Sequence, residues 1–231
     1  MPTHASAKTS RPGAARRTIR VLIVDDHPIV REGLVSLLSR QPDFEICGEA
    51  ADMRSALHLV DQTRPHVVTI DISLKDGTGL DLIRRIAERD RSIRMVVCSL
   101  YDETLYAERA LHAGAMGYVN KQEATRTIVK AVRQVLEGKT YLSDRMSDIL
   151  AQRLIGKRDK VQQPIVDLLS DRELEVFEMI GSGLTSAEIA GKLHIGVKTV
   201  ETHRRRIKAK LRVKTAAQLA RDAAHWVLQN G

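Results

Sequence analysis

The sequence predicts an open α/β domain on a parallel five-stranded sheet, followed by an all-helical domain. Three observations carry that reading. Between residues 19 and 137, short apolar runs alternate five times with segments whose apolar residues recur at helical spacing. After Pro164 the pattern is helical throughout. The length of 231 residues suits two modest domains.

The elements follow in order. Residues 1–18, rich in Ala, Ser, Arg and Pro without periodicity, are expected to be a disordered basic leader. Ile19 to Val24 is an apolar run ending in Asp25-Asp26, and Pro28 to Leu38 places apolar residues on adjoining helical rows. Phe44 to Cys47 reads as a second strand and Ser55 to Val60 as part of a helix. Val67 to Ile70 is a strand closed by Asp71; Met95 to Cys98 is another, closed by Ser99. Helices are expected over Gly79–Ala87, over Glu103–Ala113 with a stop at Gly114, and over Thr125–Leu136 with a stop at Gly138. Met116 to Val119 is the fifth strand and leads into Asn120-Lys121. Alternating βα units give a parallel sheet with helices on both faces, and unbroken β-branched runs such as Val67–Ile70 fit strands buried on both sides. Residues 138–165 are polar, with a basic patch at Lys157, Arg158 and Lys160, and read as a linker. Residues 166–231 are expected to hold helices at Asp171–Ile180, Ser186–Leu193, Val197–Leu211 and Ala216–Leu228.

Charge sharpens the division. The net formal charge is +8. Residues 1–18 contribute +4 and residues 19–137 contribute −2, while the short span 196–214 carries eight basic residues against Glu201 alone. A slightly acidic body followed by one basic stripe points to nucleic acid or an anionic surface as partner, with a solvated helix face as the plain alternative. Two phenylalanines, four tyrosines and one tryptophan are too few for a binder that stacks single-stranded bases. No run of uncharged apolar residues is long enough to span a membrane, and the leader has no apolar stretch of the kind a secretory signal needs. Two cysteines, Cys47 and Cys98, lie in apolar runs. They read as reduced thiols, which places the chain in the cytoplasm.

The chemistry gathers at the strand ends. Ligands of open parallel sheets bind outside the carboxyl ends of the strands, and here those ends carry Asp25, Asp26, Asp71, Ser99 and Lys121. Three carboxylates in one crevice repel one another unless a cation joins them, and oxygen ligands suit Mg2+. A lysine ammonium pairs with a phosphoryl dianion and a hydroxyl donates to its oxygens. The set therefore points to a carboxylate that accepts a phosphoryl group with a metal alongside. No glycine-rich phosphate loop follows the first strand, which disfavours nucleotide binding. Taken singly these are ordinary strand-end or surface residues; together and in order they are specific.

Val21-Leu22-Ile23-Val24-Asp25-Asp26-His27-Pro28, Thr69-Ile70-Asp71-Ile72-Ser73, Gly114-Ala115-Met116-Gly117-Tyr118 and Lys121 resemble the receiver domain of two-component response regulators over residues 19–137. The resemblance implies a flavodoxin-like, doubly wound sheet of strand order 2-1-3-4-5. It implies Asp71 as phosphoacceptor, and Asp25, Asp26, Asp71 and the backbone carbonyl of Ser73 as Mg2+ ligands. It implies Lys121 on the phosphoryl oxygens, with Ser99 and Tyr118 as a switch pair in which the aromatic turns inward. Lys75 and Gln122 stand where proline is common, and Leu100 where a small residue is common.

In the C-terminal part, Val197, Val200, Ile207 and Leu211 form an apolar row, with Lys198, Glu201, Thr202, Arg205 and Lys208 on the other face. His203 shares the apolar face and reads as a packed histidine. A short helix, the turn His194-Ile195-Gly196 and a longer basic helix describe a helix-turn-helix whose second helix enters a major groove. Leu169-Ser170-Asp171-Arg172-Glu173-Leu174-Glu175-Val176, Gly183-Leu184-Thr185, Glu188-Ile189-Ala190, Lys198-Thr199-Val200-Glu201-Thr202-His203 and Lys210-Leu211 look like the LuxR-type helix-turn-helix over 166–231. The whole chain resembles the NarL/FixJ class of response regulators. By position, Glu201, Thr202 and Arg205 then face base edges while Lys198, Thr199 and Lys208 meet phosphates. The resemblance implies no enzyme. Its implied partners are a sensor histidine kinase, double-stranded promoter DNA, RNA polymerase, and a second copy of the chain once phosphorylated. An aspartate-based phosphohydrolase is disfavoured because Ser73 stands where it needs a general acid. A small-molecule-sensing regulator is disfavoured because the N-terminal half is spent on a compact sheet. A receiver independent of phosphorylation is disfavoured by the retained Asp25, Asp26, Asp71 and Lys121.

Overall fold

Residues 18–154 and 168–230 are described in the structure, a computed structural model. The basic leader, but for Thr18, and the patch Lys157, Arg158 and Lys160 lie outside the described residues. The first domain alternates β1 (Ile19–Val24), α1 (Pro28–Ser39), β2 (Phe44–Ala50), α2 (Met53–Thr63) and β3 (Val67–Ile70). A small antiparallel ribbon follows, β4 (Ser73–Leu74) with β5 (Gly77–Thr78), and then α3 (Gly79–Arg89). The last units are β6 (Arg94–Ser99), α4 (Glu103–Ala113), β7 (Gly117–Asn120) and α5 (Ala124–Leu136).

The five long strands pair in parallel in the order β2-β1-β3-β6-β7, the doubly wound order that the resemblance implies. All four residues of β3 are buried, as its unbroken apolar run requires of a central strand covered on both faces. Residues Leu22, Val68, Ile70 and Val97 face a core closed by α2, α3 and α4. Val21, Ile23, Val67 and Val96 face a second core closed by α1 and α5. Polar residues start the helices where the sequence allows. Asp52, Thr78 and Asp102 accept the backbone N–H groups of Ser55, Asp81 and Thr104 at the starts of α2, α3 and α4. Pro28 occupies the first turn of α1, where a missing N–H costs nothing. Gly114 ends α4 at φ 117°, a conformation that a side chain would strain.

A helix the sequence reading did not anticipate, α6 (Asp144–Leu154), lies within the span read as linker. Met146 of this helix is fully buried and packs into the core beside α4. Tyr141, just before it, bridges β7 at Gly117 and accepts the backbone N–H of Tyr118 through its carbonyl.

The second domain comprises α7 (Asp171–Gly181), α8 (Ser186–Lys192), α9 (Val197–Leu211) and α10 (Ala216–Asn230). Two capping boxes, Ser170 with Glu173 and Thr185 with Glu188, set the starts of α7 and α8. Phe177 and Trp226 meet edge to face with centroids 5.6 Å apart, locking α7 to α10. Gly181 lets these two helices close up, since a Cβ there would lie 2.5 Å from the Ala223 carbonyl. The core on the α2–α4 side of the sheet continues through Met146 and Leu169 into the buried residues of α7 to α10, so the domains share one apolar interior.

Candidate functional site

The parallel sheet brings Asp25, Asp26, Asp71, Ser99 and Lys121 to one crevice. Asp25 and Asp26 follow β1, Asp71 follows β3, Ser99 ends β6 and Lys121 follows β7. Asp25, Asp71 and Ser99 are buried, at 1 %, 2 % and 1 % exposure. Lys121 Nζ stands 2.6 Å from Asp71 Oδ2 and 2.8 Å from Asp25 Oδ2, so one ammonium joins two buried carboxylates. Burial raises the Asp71 carboxyl above the usual range and neighbouring Asp25 adds to this, against the opposing pull of Lys121 and Ser99. Burial works to lower the Lys121 ammonium, yet Asp71 and Asp25 outweigh it and the net direction is upward. Both groups are thus held in a low-dielectric pocket where each depends on the other.

Asp26 Oδ1 is buried and accepts no hydrogen bond. Asp25, Asp26, His27 and Asp71 each offer one ligand atom, all within 4.8 Å of one another. That donor set fits a divalent-cation site. Ser73 opens the β4 strand opposite Thr78, two residues beyond Asp71. Among the described residues no other cluster of this kind occurs.

Tyr118 is fully buried and its hydroxyl donates to the Tyr101 carbonyl at 2.9 Å. The expected inward turn of this ring therefore has no outward starting point here; it already stands inside. Leu100, beside Ser99, is exposed at 61 %.

Three residues of the site escaped the sequence reading. The Nδ1 atom of His27 lies 2.6 Å from Asp26 Oδ1. Gly79 sits against the Asp71 backbone, where a Cβ would fall 2.0 Å from the Asp71 carbonyl oxygen. His194, in the turn before α9, reaches from the second domain to within 4.0 Å of Asp26 Oδ2. His27 stood in plain view beside the two aspartates; Gly79 and His194 have no signal in sequence, because both depend on how distant segments pack.

The second domain meets the first through charged and phenolic groups. Asp171 pairs with Arg84 at 2.6 Å and with Arg109 at 2.5 Å. Arg109 also donates to the Leu169 carbonyl at 2.8 Å. Tyr106, fully buried on α4, donates to Glu178 on α7 at 2.6 Å. Tyr106 and Tyr101 rings lie 4.9 Å apart, so aromatic contacts link the Tyr118 hydroxyl to the second domain.

Along α9, Val200 and Ile207 are buried while Lys198, Thr199, Glu201 and Arg205 are exposed. Thr202 and Lys208 are half-buried, and all but Thr199 of these six polar residues line one surface groove. Val197 departs from the expected apolar row: it is 47 % exposed, being in the first turn before the helix reaches the core. Glu201 Oε1 accepts from the Ser186 hydroxyl, and Arg204 donates to the same hydroxyl at 3.2 Å. This ties α9 to α8 and fixes the angle of the pair. Lys210 holds Glu173 at 2.5 Å. His203 is half-buried with Nδ1 unbonded, and burial lowers its imidazole, as a packed histidine should behave. Gly196 is the N-cap of α9 and gives it no side-chain cap.

An acid pocket at the strand ends of a doubly wound sheet, joined to a helix-turn-helix, is the layout of a response regulator, and comparison with known proteins agrees. Residues 21–133 match the response regulator receiver domain, and residues 167–223 match the bacterial regulatory proteins of the LuxR family. The oxygen regulatory protein NreC of Staphylococcus carnosus is 34 % identical over 209 residues, covering 89 % of this chain and 96 % of that protein. The DNA-binding transcriptional activator DevR/DosR of Mycobacterium tuberculosis is 34 % identical over 202 residues, covering 87 % of this chain and 92 % of that protein. RcsB from Salmonella enterica serovar Typhimurium, solved bound to promoter DNA with the phosphomimetic BeF3−, superposes with a TM-score of 0.61 at 25 % identity, covering 90 % of this chain and 99 % of that one. The chain belongs to the NarL/FixJ class of response regulators, a receiver domain followed by a LuxR-type DNA-binding domain. Its relatives are regulators rather than enzymes. No described helix is long and apolar enough to cross a membrane.

Proposed function

We propose that this chain is a cytoplasmic transcription regulator whose promoter binding and dimerisation are controlled by phosphorylation of Asp71 from a sensor histidine kinase. The observation that carries the reading is the buried pair Lys121–Asp71 at 2.6 Å, with Asp25 and Asp26 beside it at the open end of the sheet. An Asp71 carboxylate oxygen attacks the phosphorus of the donor phosphohistidine, the phosphorus–nitrogen bond breaks, and the imidazole leaves with the bonding pair. Lys121 turns from carboxylate partner to phosphoryl partner, which keeps the new dianion neutralised in a dry pocket. Ser99 supplies a hydroxyl to the phosphoryl oxygens. Asp25, Asp26, Asp71 and the Ser73 carbonyl would hold Mg2+, which when bound would shield the charge of the transferring group.

The readout is the basic helix. Glu201, Thr202 and Arg205 are assigned to base edges of double-stranded promoter DNA, and Lys198, Thr199 and Lys208 to phosphates. The homodimer follows from the need for two readers about one helical turn apart, and RNA polymerase is the partner through which a bound dimer acts. Residues 19–137 form the receiver, 138–165 connect it, 166–231 form the DNA-binding domain, and the basic leader is residues 1–18. The testing experiment incubates the full chain with a small phosphodonor and Mg2+ beside Asp71→Asn. Wild type gains an acid-stable, base-labile label that the variant lacks, and equal labelling of both overturns the assignment.

A further inference from the structure

We propose that the receiver carries a second binding site, for a small organic phosphate, at the amino ends of its strands, with Arg64 and Arg94 as the residues that hold the anion. The site lies at the opposite end of the sheet from Asp71 and shares no residue with the acid pocket. It does not depend on the phosphorylation reading.

Strands that run in parallel begin at one end of their sheet and finish at the other. Strands β1, β3 and β6 are neighbours. Arg20 is the second residue of β1, His66 directly precedes β3, and Arg94 opens β6. Arg64, the C-cap of α2, reaches the same end. These four residues line a cavity of about 550 Å3, within the roughly 300–1,000 Å3 of small-molecule sites.

Three arginines share this cavity with one acid, Asp90. That acid is already engaged: its carboxylate accepts the Ser92 backbone N–H at 2.8 Å and the Ser92 hydroxyl at 2.6 Å. Arg20 is engaged as well. Its guanidinium donates to the Thr63 carbonyl at 2.9 Å and to the Arg64 carbonyl at 2.7 Å. Its backbone N–H donates to His66 Nδ1 at 2.9 Å. Arg64 and Arg94 are left over. Among the described residues neither guanidinium has a hydrogen-bond or ion-pair partner, and Arg64 acts on Asp90 only through its longer-range charge. The basic leader, which has no acidic residue, offers them no counter-charge.

The backbone under Arg64 is held for this use. Its φ of 45° is left-handed, a conformation that strains a side chain and that helix ends usually give to glycine. The Arg20 guanidinium clamps the Arg64 carbonyl, and buried Pro65 follows, so the strained cap is fixed while the Arg64 side chain stands exposed. An arginine fork matches two phosphate oxygens at once. Half-buried Ile19 and Leu136 form an apolar wall beside the charges. That wall selects a phosphate carrying a carbon group over inorganic phosphate. The concave shape suits a small molecule, whereas a duplex is met by charges along a protruding helix such as α9.

The test titrates phenyl phosphate, inorganic phosphate and phenol into 15N-labelled full-length protein without added metal and follows the backbone amide resonances. Phenyl phosphate should move the amides of Arg64, His66, Ser92 and Arg94, and should bind about tenfold tighter than inorganic phosphate. Phenol should leave them in place. Arg64→Gln combined with Arg94→Gln should weaken phenyl phosphate about tenfold or more, with resonances elsewhere unchanged as the check that the variant is folded. Arg64→Lys with Arg94→Lys keeps the charges without the forks and should bind at an intermediate strength. Shifts confined to α9 or to the neighbours of Asp71, or equal affinity in wild type and the glutamine variant, overturn the site. Equal affinity for phenyl phosphate and inorganic phosphate overturns the organic ligand.

Discussion

The phenol of Tyr106 donates to the carboxylate of Glu178 at 2.6 Å, joining helix α4 of the receiver to helix α7 of the DNA-binding domain. Around it Asp171 grips Arg84 and Arg109, and His194 leans over the acid pocket. Receiver and reader are therefore coupled through polar groups laid beside an apolar interior that both domains share. The Tyr101 ring lies tilted against Tyr106, and the Tyr101 backbone carbonyl accepts the Tyr118 hydroxyl. On the phosphorylation reading proposed above, a change at Ser99 and Tyr118 has a short physical route to the second domain.

Loss of the phenol should loosen the packed arrangement. Tyr106→Phe keeps the ring and removes a charge-assisted hydrogen bond of about 1.5–3 kcal/mol, enough to shift a packed–open equilibrium about tenfold or more. The expected outcomes are a larger radius of gyration by small-angle scattering and faster labelling of Asp71 by a small phosphodonor, since His194 moves away with its domain. Glu178→Gln should add little in the Tyr106→Phe background. A scattering curve identical to wild type would show that the contact carries no weight.

The same contact should respond to pH. Burial pushes Glu178 up to about 7; Tyr106 and Arg109 oppose it and Asp102 reinforces it. Burial likewise pushes Glu175 up to about 7, opposed by Arg172 and reinforced by Glu178 and Asp171. A carboxyl whose value is higher in the packed state takes up a proton on packing. That advantage is full below the ordinary value of 4.5 and is lost as pH rises through about 7. Scattering between about pH 6 and about pH 8 should show expansion at the alkaline end, and Glu178→Gln should flatten the profile. Expansion toward acid in that window would contradict the assignment.

Much of this arrangement was legible from sequence because strand ends announce themselves. Val67–Ile70 and Arg94–Ser99 are apolar runs that stop at a polar residue, and that residue is necessarily at the rim of the sheet. Helix α6 was legible but passed over: Met146, Ile149, Leu150 and Leu154 stand at helical spacing, and the charged and polar residues between them gave the segment the look of a linker. The domain contact was invisible for a different reason. Glu175 and Glu178 look like solvated positions of an amphipathic helix, yet Glu175 is fully buried and Glu178 meets Tyr106 of the first domain. Gly79 reads as an ordinary helix-start glycine until the Asp71 backbone is seen beneath it.

That glycine yields a stringent prediction. A Cβ at Gly79 would stand 2.0 Å from the Asp71 carbonyl oxygen, and backbone cannot yield as a side chain tip can. The Gly79 N–H also donates to the Ile72 carbonyl at 2.6 Å, so α3 is anchored at that spot. Gly79→Ala should cost roughly 3 kcal/mol or more in denaturant unfolding and displace Asp71. Phosphodonor labelling should fall even where the variant remains folded at low temperature. Unchanged stability together with unchanged labelling would mean the helix start shifts freely.

On the DNA side, exposure separates two kinds of basic residue. Arg205 is exposed on the same groove as Lys198 and Glu201, one turn along α9 from the latter, whereas Lys208 is half-buried nearer the end of the helix. An arginine fork can read a base edge by paired hydrogen bonds, while a lysine ammonium meets a phosphate without regard to sequence. Arg205→Ala should therefore cost about 1–3 kcal/mol on preferred sites and relax the preference at one position. Lys208→Ala should weaken all duplexes alike and reduce the slope of log K against log salt by about 1. Binding titrations on a randomised duplex pool at two salt concentrations distinguish them. Equal losses across all sequences for Arg205→Ala would remove it from the base-reading set and place it with the phosphate contacts, leaving Thr202 and Glu201 as the residues to test for sequence preference.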